Sequence, residues 1–160
     1  MDGLLFALTL VAALGCGLAA GVFFAFSTFV MNGLGRLPEA QGMAAMQAIN
    51  IAAPSFAFML ALFGTALVCV ALVGWGLIEL GEPFGPYLVA GGALYLAGVI
   101  AMTIGYHVPR NDALAAADSG TADGARLWSR YHREWTTWNH LRSVTALAAA
   151  AAFTLALQAG

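Results

Sequence analysis

The sequence has no lysine, two cysteines and few charges of any kind: six basic residues, all arginine, and eight acidic ones stand among 160 residues. Only 9% of the chain is charged and 61% is hydrophobic, with mean hydropathy +0.84, whereas a soluble domain carries roughly a quarter charged residues. Each shortage excludes something. A net charge of -2, with arginines standing beside tryptophans and no soluble basic patch, argues against a nucleic-acid partner. Cys16 and Cys69 lie within apolar tracts with no CxxC or Cys/His spacing, so they read as packing residues. Charge is absent from Gly3 to Gly35, from Ala40 to Ile78, from Pro83 to Pro109 and from Ser143 to Gly160. About 20 apolar residues suffice to cross the hydrocarbon of a bilayer. The expectation is an all-α integral membrane four-helix bundle, one domain over residues 1–160, with spans at about 3–31, 54–78, 84–106 and 139–158.

The first tract is also tested as a targeting peptide, because Met1 to Ala20 is apolar and ends in small residues. It lacks a basic leader, and its apolar character continues through Phe23, Phe24, Phe26, Phe29 and Val30, so it is expected to remain as a span. Asn32 to Gly35 should end it, and Met43, Met46 and Asn50 recur at helical spacing, as in a short interfacial helix. The brief Glu79 to Pro83 connection forces antiparallel neighbours. Pro109 should stop the third helix at His107, leaving Asp112 to cap a new helix over residues 113–117. The fourth helix has no proline or glycine after Gly124, so one long helix should begin on the cytoplasmic side and enter the membrane near Arg142.

Four spans put both termini and the Glu79 to Pro83 turn on one side, and all six arginines on the other. By the positive-inside tendency the arginine side is cytoplasmic and both termini face out, as expected of a multi-pass protein of the cell inner membrane. The glycine-rich faces around Gly15, Gly17 and Gly21, and around Gly91, Gly92 and Gly98, suit close helix packing within one bundle or between copies in a homo-oligomer.

Polar residues concentrate at the arginine side. On a helical wheel of the segment from Trp128 to Arg142, Trp138, Tyr131, Arg142, Trp135, Trp128, Asn139 and His132 share an arc of about 120°. Aromatic side chains there fit the headgroup level of a membrane, but Asn139 and Arg142 do not follow from that alone, because an arginine beside an apolar span is costly unless paired. His107, Arg110 and Asn111 emerge where this face descends, and Asn32 and Asn50 should lie at similar depth. His107, His132, His140 and Asp112 are numerous enough for a metal. However, His132 and His140 lie about 80° apart on the wheel and no HxxxH or ExxH pair occurs, so no metal site is expected.

Four segments together carry a family likeness: Gly21-Val22-Phe23-Phe24-Ala25-Phe26-Ser27; Met46-Gln47-Ala48-Ile49-Asn50; His107-Val108-Pro109-Arg110-Asn111 with Leu114-Ala115; and Trp135-Thr136-Thr137-Trp138-Asn139-His140-Leu141-Arg142. In this order the chain resembles the anthrone oxygenase-like family of small four-helix membrane proteins over nearly its whole length. The resemblance implies oxidation of anthrone-like, flat phenolic substrates by molecular oxygen without a dedicated organic cofactor. Such chemistry needs a base, a clamp for the enolate oxygen and a flat apolar slot. The residues that suit it are His107 as base, Arg142 with Arg110 as clamp, Asn111, Asn139 and Asn50 to orient substrate or peroxide, and Trp135 and Trp138 to stack on the rings. A lipid- or quinone-binding module and a metal-dependent oxidoreductase are the alternative readings of the same residues. The expected partners are membrane lipid and a small aromatic substrate.

Overall fold

The computed structural model describes residues 1–160, and every regular element in it is a helix. Four helices are long and apolar enough to span a bilayer: α1 (Gly3–Leu34), α3 (Phe56–Ile78), α4 (Gly85–Ala115) and α5 (Ala122–Ala159). A shorter helix, α2 (Glu39–Ala52), joins the first two. The chain is thus a helical membrane bundle, as its uncharged tracts require. Only about a third or less of each apolar window is buried, and Leu14, Leu18, Phe24, Leu67, Val144 and Leu147 point outward, as they must where lipid is the solvent.

The helices pack in a ring, with α1 along α5, α5 along α4, α4 along α3 and α3 back on α1. Small residues set the close approaches within the bundle. A side chain at Gly15 would strike Thr65, one at Gly91 would meet Phe153, one at Gly92 would strike Val73 and one at Gly98 would strike Thr145, while Gly17 and Gly21 face open space. Inside lie Leu5, Ala12, Cys16, Cys69, Leu72, Tyr95, Ala149 and Phe153. A second, smaller core sits beyond one end of the bundle, where Met31, Met43, Met46, Leu114, Trp128, Tyr131 and Trp135 tie α2 to α5 and to the end of α4. Gln47 on α2 adds two hydrogen bonds, donating Nε2 to the Leu114 carbonyl at 2.8 Å and to the Ala117 carbonyl at 3.0 Å.

Local chemistry explains the ends. Asp2 caps α1, its carboxylate accepting from the Leu5 amide at 2.8 Å, and Thr121 caps α5 by accepting from Gly124 at 3.1 Å. The α3–α4 turn folds back so tightly that any side chain at Gly85 would strike the Glu79 backbone. Both termini meet on that side, the Met1 amine lying 3.4 Å from the Gly160 carbonyl.

Two expectations change. First, Pro109 does not end the third helix, which continues to Ala115, and Asp112 lies inside it rather than capping a new one. The reason is a wide π-type turn over Thr103–His107: Val108 donates back to the Thr103 carbonyl, five residues away, so the proline begins a fresh helical turn where no amide donor is required. Second, α1 runs through Asn32 to Leu34 after a similar wide turn at Phe26–Val30. Further wide turns occupy Leu60–Gly64 and Leu96–Ala101. Carbonyls beside them are taken up by side chains: Asn139 donates to Phe23, Tyr95 to Leu62 and Thr103 to Val99. Such irregular backbone survives at membrane depth only where the bundle satisfies it, and here three of the four wide turns border one cavity.

A candidate cationic site at the arginine end of the bundle

Each wide turn inserts a residue and rotates the remainder of its helix by about 100° relative to an unbroken one. In α4 this brings His107, the last residue of its turn, inward against α5, with Asn111 one turn further on. His107 is 1% exposed, its ring lies edge-on to Trp135 at 5.0 Å, and neither ring nitrogen has a hydrogen-bonding partner.

Arg142 enters from α5 and is also buried, with 5% of its surface exposed. It donates Nη1 to Thr103 Oγ1 at 3.1 Å and Nη2 to Asn139 Oδ1 at 2.6 Å, while Nε has no partner. The guanidinium lies 4.2 Å from the centre of the Phe23 ring and 5.3 Å from that of Trp135. None of the three ion pairs in the chain includes it. A buried cation with aromatic faces and neutral partners, but no carboxylate, is electrostatically incomplete and attracts an anion.

Asn139 fixes that arginine. Its Nδ2 donates to the Phe23 carbonyl and to Ser27 Oγ, both at 2.7 Å, so its Oδ1 is aimed at Arg142. Ser27 in turn lies 3.3 Å from Ser143 Oγ. Asn111 is oriented from the other side: its Oδ1 accepts from Tyr131 Oη at 2.8 Å and from Trp135 Nε1 at 3.0 Å. The buried faces of Trp128, Tyr131 and Trp135 form a ladder at ring separations of 6.0 and 6.2 Å.

His107, Arg142 and Asn111 border a cavity of about 240 Å³, a little below the roughly 300 to 1,000 Å³ of most ligand sites. Its polar wall is Asn50, Thr103, His107, Asn111 and Arg142; the rest is apolar, including Phe23, Phe26, Phe58 and Trp135. Asn50 Nδ2 is buried there without a partner. Five residues that stand out in the sequence, His107, Asn111, Arg142, Trp135 and Asn50, therefore line one space.

Three others do not. Asn139 stands behind Arg142 rather than in the cavity wall. Arg110 is turned outward, its guanidinium 3.4 Å above the Tyr106 ring and 3.7 Å from the Glu134 carboxylate. Trp138 is 40% exposed and packs on Tyr106 at 4.9 Å, because its place at the edge of the arc carries it past the bundle interior. Thr103 and Phe23 touch Arg142 without standing out in the sequence. A threonine and a phenylalanine in apolar spans carry no distinguishing signal there. His132 is engaged with the Met31 carbonyl at 2.7 Å and His140 is exposed, and no three histidine, cysteine, aspartate or glutamate side chains gather as a metal-ligating group.

The fold and site define a small helical membrane protein with a buried, cation-bearing cavity at one end. A model of the anthrone oxygenase family matches residues 43–152, more than half of the chain and including α4 and the polar part of α5, and the chain belongs to that family. No curated protein and no solved structure matches it.

Proposed function

We propose that the protein is a membrane-embedded oxygenase that converts anthrone-like, flat phenolic rings to quinones with molecular oxygen, without a dedicated organic cofactor. Family membership supports oxygenase-type chemistry. The observation that carries the finer reading is the pairing of Arg142, a buried cation lacking an anion, with His107, a buried imidazole whose nitrogens are both free, on one small aromatic-walled cavity. A base beside a cation, with no carboxylate between them, suits a neutral acid that becomes an anion when bound.

An anthrone has an acidic methylene opposite its carbonyl. His107 takes one methylene proton, and the electrons move onto the carbonyl oxygen, where Arg142 stabilises the enolate. Trp135 and Phe26 pack on one another at 5.8 Å and together offer the ring an apolar wall. The electron-rich ring carbon then gives electrons singly to oxygen and forms a carbon–oxygen bond, yielding a peroxide that takes a proton from the imidazolium. Loss of the second methylene hydrogen with cleavage of the oxygen–oxygen bond releases water and leaves the second carbonyl. One oxygen molecule is consumed for each quinone and each water formed. Asn111 and Asn50, which line the cavity, hold the peroxide or the substrate hydroxyls in this reading.

Oxygen of the heavy isotope tests this balance. One labelled atom is expected in the quinone and one in water, and unlabelled quinone would overturn the oxygenase reading. A flat-ring or lipid-headgroup binding module, the alternative, would give stoichiometric binding with no oxygen consumed.

The orientation belongs to the same proposal. All six arginines lie on the α1–α2–α3 and α4–α5 side, whereas the opposite side carries Asp2, Glu79 and Glu82 and no basic side chain. This supports an inner-membrane protein with both termini outside and the cavity near the cytoplasmic face.

A further inference from the structure

The cavity is closed on most sides by helix packing, but α3 and α4 part company beside it. The second half of α3, Thr65–Ile78, packs on α4, whereas its wide turn, Leu60–Gly64, packs mainly on α1 and meets α4 through the Tyr95–Leu62 hydrogen bond. The end of α4, Val108–Ala115, packs on α2 and α5. Between these diverging segments stand Phe63 and Val108, which line the cavity and are nevertheless 41% and 43% exposed. Their outward neighbours are Leu60 and Leu67 on α3 and Ile104 on α4, at 60%, 73% and 57% exposure. No charged side chain lies among them. The other exposed residues of the cavity lining, Ala53 and Pro54 in the α2–α3 link, are uncharged as well, and an apolar rim on spanning helices faces hydrocarbon, not water.

We propose that this gap is a lateral opening through which the ring enters the cavity directly from the bilayer, with Phe63 and Val108 as its two jambs. The substrate class is thereby narrowed to phenolic rings that dissolve in the membrane, and an aliphatic substituent would trail through the gap into the lipid. Such a chain gains little affinity, because lipid tails are as apolar as the rim. The opening therefore governs rates of entry and exit more than equilibrium binding. Its direction also fits the polar wall, since a ring sliding between Phe63 and Val108 advances towards His107 and Thr103 on the same helix as one jamb. The substrate chemistry rests on the oxygenase reading; the route does not.

To test the route, binding of a dihydroxyanthraquinone, a non-reacting ring, to protein in lipid nanodiscs is measured by rapid mixing and tryptophan quenching, with oxygen uptake on the matching dihydroxyanthrone measured separately. Val108→Trp narrows the gap and is expected to slow association and dissociation alike by about tenfold, leaving the equilibrium constant within about twofold. Phe63→Ala widens it and is expected to speed both. Unchanged rates in both variants, or a loss of affinity carried wholly by dissociation, would overturn the opening. Gated binding with no oxygen uptake by wild type would retain the opening and overturn the oxygenase reading, so the two failures are distinguishable.

Discussion

At the residue scale, groups that face the cavity differ in role from the groups that hold them. His107 lines it and both of its buried nitrogens lack a partner, so His107→Ala is expected to lower turnover about 100-fold or more while the protein still elutes as a folded species. His140→Ala, at an exposed position, should leave turnover near wild type. Equal activity in the two variants would remove His107 from the chemistry. Arg142→Lys keeps a cation but loses the fork that reaches Thr103 and Asn139 together. It should retain ring binding with turnover reduced about tenfold or more, an effect read from kcat against KM. Asn139 acts through Arg142, so Asn139→Ala should lower both thermal stability and turnover. It strands the Phe23 carbonyl and frees the guanidinium, and an unpartnered buried polar group costs about 1–3 kcal/mol. Undiminished stability would show that another donor replaces it.

At the element scale, the long uncharged tracts and the α3–α4 turn announce their helices plainly, and the absence of proline and glycine between Gly124 and Gly160 announces the unbroken length of α5. The wide turns are hidden, because Phe26–Val30 and Thr103–His107 have nothing in composition to separate them from ordinary apolar helix. That is why Pro109 reads as a stop although the turn before it removes the demand for its missing amide. Gln47 joins α2 to the end of α4 through two backbone carbonyls. Gln47→Ala is expected to loosen α2 by about 1–3 kcal/mol and to expose the segment before α3 to limited proteolysis sooner than in wild type. An unaltered cleavage rate would mean that Met43 and Met46 hold α2 without it.

At the scale of the whole molecule, half of the site is readable before folding and half is not. His107, Asn111, Trp135, Arg142 and Asn50 stand out as polar or broad side chains at the ends of apolar runs, and they meet in one cavity. The apolar wall from α1 and α3 does not stand out, since a phenylalanine facing lipid and one facing a ligand look alike in sequence: Phe24 points outward and Phe23 touches Arg142. Trp138 shows the converse, sharing a wheel arc with buried residues yet turning to the surface. The orientation is testable on the intact protein. A cysteine in place of Glu82 should react with an impermeant maleimide on intact cells, and one in place of Ser119 only after permeabilisation. The reverse pattern would invert the topology.

The central claim is that this cavity accelerates oxidation of an anthrone by oxygen through His107. Oxygen uptake by the purified protein in lipid, with a dihydroxyanthrone and measured against the spontaneous rate, tests it most directly. The expected result is saturable acceleration by wild type, loss of that acceleration in His107→Ala, and one quinone for each oxygen consumed. Uptake no faster than the spontaneous rate, or equally fast in His107→Ala, would contradict it.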